Sequence, residues 1–209
     1  MKNLTIIKHP LVKRDLTSLR NKFTPSNVFR AVLRRTGSLM AYEVTRDFKL
    51  RSVTISTPLE KTGGSVVIDS IILVPILRAG LGLVGGFVEV LPDARVGHIG
   101  LYRDEETLRP VDYYLKLPRN LKNAMVIVLD PMLATGGSAA AAVTFLKKKG
   151  ARKIRFVSLV AAPEGVRTLS KTHPDVKIFT CSLDRGLNDR GYILPGLGDA
   201  GDRIFGTGE

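Results

Sequence analysis

The 209-residue chain has a single cysteine, Cys181, so no intramolecular disulfide can brace it. Its longest apolar run, Ile71 to Leu77, is far too short to span a bilayer. Met1-Lys2-Asn3-Leu4 leads into no extended apolar region and no small-residue cleavage site. From these absences a cytoplasmic protein with no membrane partner is expected. Internal repeats and low-complexity tracts are missing. His9, His98 and His173 are too scattered for a metal site, and no pair has zinc spacing. Basic residues are not interleaved with aromatics in the way of single-strand nucleic-acid binders.

What is present suits one globular unit. Apolar residues make up 44% of the chain, enough for a full core, and 20 Gly with 11 Pro point to many short connections. The formal charge is +13, and residues 1–60 hold twelve Lys or Arg against four Asp or Glu. Such an excess suits polyanionic company, namely nucleic acid, nucleotides or phosphorylated small molecules. A solvated basic surface explains it as well, so charge alone decides little.

Along the chain, Leu11, Val12, Leu16 and Leu19 follow Pro10 at helical spacing. A longer helix is expected from an N-cap at Ser26, with Gly37 interrupting it. Val53–Ser56 and Val66–Ile68 flank Gly63-Gly64 and read as a β-hairpin arm turning at the glycines. From residue 71 buried strands alternate with helices. Strands are expected at Ile71–Ile76, Arg95–Tyr102, Tyr113–Leu117, Ala124–Leu129, Ile154–Val160 and Val176–Cys181. Helices are expected at Ala79–Val90, Ser138–Lys149 and Pro163–Lys171. The alternation means βαβ units, hence an α/β fold with a mostly parallel twisted sheet flanked by helices. The expected division within one domain is 1–50 N-terminal helices, 51–70 hairpin arm, 71–181 core and 182–209 glycine-rich hood.

The most informative segment is Leu129-Asp-Pro-Met-Leu-Ala-Thr-Gly-Gly-Ser138. It joins a buried strand to a helix N-terminus, where α/β sheets bind ligands. Gly136 and Gly137 let backbone N–H groups approach an anion, Thr135 and Ser138 add hydroxyl donors, and the helix dipole favours negative charge. Asp130 is wrong for a phosphate but right for sugar hydroxyls. A carboxylate beside a phosphate cradle therefore points to a phosphorylated ribose. No Lys follows the glycine pair, which excludes a Walker loop. Gly80-x-Gly82-x-x-Gly85 matches dinucleotide spacing, but no acidic residue ends a strand about 20 residues on, and Leu81, Leu83 and Val84 read as helix core.

Leu129–Ser138 resembles the phosphoribosyl diphosphate (PRPP) signature of the type I phosphoribosyltransferases. That superfamily usually carries two adjacent acids at the strand end. Here Pro131 replaces the second, as in the uracil phosphoribosyltransferase branch. The resemblance extends to His9-Pro-Leu-Val-Lys13, Val74-Pro-Ile-Leu-Arg-Ala-Gly80 and Leu101-Tyr-Arg-Asp-Glu-Glu-Thr107. It continues through Ala161-Ala-Pro-Glu-Gly165 and the tail from Gly191 to Arg203.

By this resemblance Arg78, Arg103, Asp130 and Asp199 are the catalytic residues. PRPP would be bound by Arg78, Arg103, Asp130, Pro131, Met132, Leu133, Ala134, Thr135, Gly136, Gly137, Ser138 and Asp199. Uracil would be bound by Ile193, Gly198, Asp199 and Ala200. A non-proline cis peptide is expected near Arg78-Ala79, and Arg103 would open an acidic loop that closes over PRPP. The implied reaction converts uracil and PRPP to UMP and diphosphate, without a covalent intermediate. Magnesium (Mg2+) would be carried mainly by PRPP rather than by protein ligands. The resemblance also implies a homodimer or homotetramer, and GTP as an effector in some relatives. A nucleic-acid-binding regulator on the same fold is the competing class, and the intact Ile193–Arg203 tail argues against it. Salvage of a different base, such as a purine, would keep the cradle and change the tail.

Overall fold

Strands that are apolar at every position must be covered on both faces. The computed structural model describes residues 3–103 and 110–208, without the side chains of 102, 103 and 110–112. The chain begins with β1 (Leu4–Ile6), α1 (Pro10–Arg20) and α2 (Ser26–Val44). An antiparallel ribbon of β2 (Leu50–Ser56) and β3 (Lys61–Val67) stands apart from the main sheet. Next come β4 (Ser70–Leu77), α3 (Leu81–Val90), β5 (Arg95–Val96), β6 (His98–Arg103) and β7 (Pro110–Lys116). The second half contributes β8 (Ala124–Leu129), β9 (Met132–Leu133), α4 (Gly137–Lys148), β10 (Lys153–Ala161), α5 (Pro163–Thr172) and β11 (Lys177–Leu183). The tail holds β12 (Gly186–Leu187), β13 (Ile193–Leu194) and α6 (Ala200–Phe205).

The main sheet runs β1-β11-β10-β8-β4-β6-β7, parallel except where β7 meets β6. Period-2 alternation divides its side chains between two layers. Leu73, Ile127, Leu129, Val157 and Leu159 pack with α1, α2, α3 and α6. Ile72, Val74, Val126, Val128 and Phe156 pack with α4 and α5. After β4 the chain goes to one side of that strand, and β8 returns on the other. The carboxyl ends of β4 and β8 therefore open a crevice at the reversal of strand order, where such sheets bind ligands.

Several expectations need correction. The hairpin turns at Thr57–Glu60, not at the glycines: Thr57 Oγ accepts from the N–H groups of Leu59 and Glu60. Gly63 and Gly64 lie inside β3, opposite Thr54 and Val53. A threonine followed by proline was the stronger turn signal. Gly37 does not interrupt α2; it lets α2 and α3 pack closely. A Cβ at Gly37 would lie 3.1 Å from the Leu83 carbonyl, and one at Gly86 would lie 2.0 Å from that of Arg34. The strand expected at Arg95–Tyr102 breaks at Gly97, whose N–H bonds the Leu73 carbonyl at 2.9 Å. Residues 1–50 also contain a strand, because Leu4–Ile6 joins the sheet edge beside β11.

Arg14, Arg34, Arg35 and Arg46, in the first third of the chain, are engaged in ion pairs. Arg35 and Arg14 flank the buried Asp15, and Arg34 pairs with Glu89 and Arg46 with Glu43. Among the described residues no helix is long and apolar enough to cross a membrane.

Candidate active site

The site begins where the ladder between β8 and β10 is interrupted. Pairing stops after Leu129 and resumes at Met132, which faces Val160. In the gap the Asp130 N–H still bonds the Val157 carbonyl, and the Pro131 carbonyl accepts from the N–H groups of Leu159 and Val160. Pro131 is buried. A proline suits this position, since it needs no donor partner there and adds no charge to the interior. Among the described residues the Asp130 carboxylate accepts one hydrogen bond, from the Met132 N–H at 3.2 Å. Burial pushes its pKa up to about 7, against the smaller opposing effect of that hydrogen bond.

Two interlocked glycines shape the following cradle. Gly136 has φ 85°, and a Cβ there would lie 2.7 Å from the Gly165 carbonyl. A Cβ at Gly165 would in turn lie 2.4 Å from the Ala134 carbonyl. This contact explains why the Ala161–Gly165 segment belongs with the cradle: it is the seat on which the loop rests. α4 starts at Gly137 with no side-chain cap from Gly136; the Gly137 N–H reaches Thr135 Oγ only at 3.5 Å, so the N–H groups of this first turn can still turn to an anion. Asp130, Met132, Leu133, Ala134, Thr135, Gly136 and Ser138 line a cavity of about 80 Å³ here.

A second cavity, of about 300 Å³, adjoins the first and shares Asp130, Met132 and Ala134 with it. Its other wall is the tail, including Ile193, Gly198 and Asp199. Ala200 is buried directly behind, at the start of α6. Asp199 caps that helix, accepting from the Asp202 N–H at 3.0 Å. Of the expected residues whose side chains are described, Arg78, Pro131, Gly137 and Ala200 line neither cavity.

Arg78 follows β4, and its guanidinium pairs with Asp202 at 3.1 Å. The cis peptide is Leu77-Arg78, one bond before the expected position. A Cβ at Gly80 would lie 2.3 Å from the Leu129 carbonyl, so this glycine lets the Arg78 turn press against the end of β8. The Gly80-x-Gly82-x-x-Gly85 spacing is therefore a packing feature: a Cβ at Gly82 would strike Leu33 and Ile204. Arg103 ends β6, and its side chain and the acidic loop after it lie outside the described residues.

Sequence reasoning missed Arg190 and Tyr192, which line the larger cavity, and Asp202, which meets Arg78. All three lie within or beside the quoted tail, but only the fold reveals which of its residues face inward. Among the described residues no group of three or more His, Cys, Asp or Glu could hold a metal. Asp130 and Asp199 supply two hard carboxylate donors in one cavity, a set that fits a magnesium ion completed by substrate oxygens and water.

An uncapped helix N-terminus, joined through one carboxylate to a second cavity at the switch point, is the arrangement expected of a phosphoribosyltransferase. The backbone agrees. A solved hypoxanthine-guanine phosphoribosyltransferase from Bacillus anthracis superposes with a TM-score of 0.51 at 13% identity, covering 76% of this chain and 80% of that one, a likeness of fold alone. A solved Aquifex aeolicus protein superposes with a TM-score of 0.92 at 38% identity, covering 97% of both chains. Within that class, the family model for uracil phosphoribosyltransferase matches residues 6–207, and the chain belongs to this family. Curated uracil phosphoribosyltransferases are 56% identical in Finegoldia magna and 58% in Acidovorax sp. strain JS42, each over 99% of this chain and all of the relative.

The raised pKa of Asp130 gives a pH test. A carboxyl with this pKa is mostly neutral below about pH 7 and ionised above it, so its strength as a hydrogen-bond acceptor grows as pH rises. kcat/KM for PRPP should climb through pH 7 and level off above, and Asp130→Asn should lack that limb. A variant that retains the limb would contradict the assignment.

Proposed function

We propose that the protein transfers the 5-phosphoribosyl group of PRPP to N1 of uracil, giving UMP and diphosphate. The observation that carries this is the pair of cavities meeting at Asp130. They are ordered as the product is: phosphate at α4, ribose at Asp130, base against the tail.

In this scheme the C1–oxygen bond to diphosphate breaks through an oxocarbenium-like transition state. Uracil N1 attacks from the opposite face, and the N1 proton leaves with the diphosphate. The residues act by positioning and by neutralising charge. Arg78 and Arg103 hold the diphosphate, suited to it by planar guanidinium groups with several donors. Asp130 orients the ribose hydroxyls, and Asp199 lies between the ribose and the base. The donors of Thr135, Gly136, Gly137 and Ser138 hold the 5-phosphate. Magnesium, held by substrate oxygens with Asp130 and Asp199 at hand, would supply further neutralisation of the leaving diphosphate. GTP is a candidate effector by family resemblance.

Uracil presents two carbonyl acceptors around one N–H donor. Backbone groups of Ile193, Gly198 and Ala200 complement such an edge, and a base with reversed polarity leaves buried groups unpaired. That mismatch discriminates by roughly 10⁴ or more. Incubating the protein with PRPP and each nucleobase in turn should release diphosphate efficiently with uracil and far less with cytosine or purines. Comparable release with a purine would overturn the substrate assignment.

We also propose that the β2–β3 ribbon mediates self-association. A two-stranded ribbon is marginal alone, and this one exposes Leu50, Ile55, Leu59 and Val67. Light scattering should find a dimer or tetramer whose mass falls in Leu59→Asp. An unchanged mass would remove the ribbon from the interface.

A further inference from the structure

Backbone groups that recognise a base are only as well placed as the backbone that carries them. The turn behind the larger cavity is held from outside by an ion pair. Asp184 follows β11, and its side chain is only 2% exposed. Its carboxylate accepts twice from the Arg20 guanidinium, at 2.6 and 2.7 Å, and once from Ser182 Oγ at 2.6 Å. It also accepts from the Gly196 N–H at 2.9 Å, while Arg20 donates to the Gly196 carbonyl at 2.8 Å. Both peptide groups of one residue are thus gripped by the two members of one pair.

Gly196 has φ 60°, and a Cβ there would lie 2.1 Å from the Ile193 carbonyl. The turn therefore doubles back on Ile193, which lines the cavity with Leu197, Gly198 and Asp199. Arg20 and Asp184 do not themselves line it. A two-pronged, charge-assisted pair is directional in a way that apolar packing is not, and a carboxylate with four donors has no freedom to drift.

We infer that Arg20 and Asp184 are positioning residues for the base, acting through Gly196 to fix the backbone groups that read uracil. The inference rests on the uracil-binding reading of Ile193–Ala200. It assigns α1, outside the βαβ core, a part in base recognition. Displacing a recognition group by about 1 Å costs on the order of a hundredfold. A loosened turn should therefore show first in the Michaelis constant for uracil.

The test is steady-state kinetics on the full-length protein. Arg20→Ala should raise KM for uracil about ten- to a hundredfold, raise KM for PRPP, which Asp199 also contacts in this scheme, by a clearly smaller factor, and narrow the preference for uracil over cytosine. Asp184→Asn should give the same split, and the double variant should be no worse than the poorer single one. Arg20→Lys, which keeps the charge but loses the fork, should fall between. Should Arg20→Ala fail to fold, the near-isosteric Asp184→Asn and Arg20→Lys carry the same comparison. Equal shifts in both Michaelis constants, or no shift, overturn the positioning role. A wild-type protein inactive with uracil overturns the underlying function, and this inference with it.

Discussion

Pairing between β8 and β10 lapses for two residues, and the site depends on how that gap is filled. The backbone of Asp130 and Pro131 keeps contact with β10 through hydrogen bonds to Val157, Leu159 and Val160. The strand end is therefore firm although the ladder is broken. Among the described residues the Asp130 carboxylate accepts a single hydrogen bond; desolvation raises its pKa, and acceptor capacity is left for a ligand. The next residues wrap onto Gly165 and enter α4 without a side-chain cap. A carboxylate and an anion cradle are thus separated by one short loop on a fixed base.

The second half of the site is built differently. The tail after β11 has little regular structure of its own, so its shape is imposed by side chains reaching in from elsewhere. Arg203 binds the carbonyls of Leu19, Asn21 and Leu197 and lies over the Phe29 ring. Arg30 donates to the Ile204 carbonyl, and Arg78 meets Asp202. Together with Arg20 and Asp184, these contacts dock the tail on α1, α2 and the end of β4. Arg20 and Arg30 of the basic amino-terminal segment therefore serve as struts.

The βαβ core was legible because its signals are local. Continuous apolar strands, the glycine pair at 136–137 and Asp130 at a strand end each carry their physics in a few adjacent residues. Elements that depend on distant partners were harder to read. Leu4–Ile6 is a strand only because β11 offers it an edge, and three residues show no period. Gly37 looks like a helix breaker until α3 is placed against it. In the candidate site, the position of Asp130 and the 134–138 loop at a strand end and helix start could be read directly, and the tail was singled out by resemblance. Arg20, Asp184 and Asp202 could not be found, because their ion-pair partners lie more than a hundred residues away in sequence.

The central claim is that one carboxylate joins a phosphate cradle to a base cavity. A crystal structure with UMP bound tests it most directly. The account predicts the phosphate on the N–H groups opening α4, the ribose hydroxyls against Asp130 and the uracil ring against Ile193 and Gly198. A UMP whose base lies outside the cavity walled by the tail, or whose ribose does not touch Asp130, would contradict it.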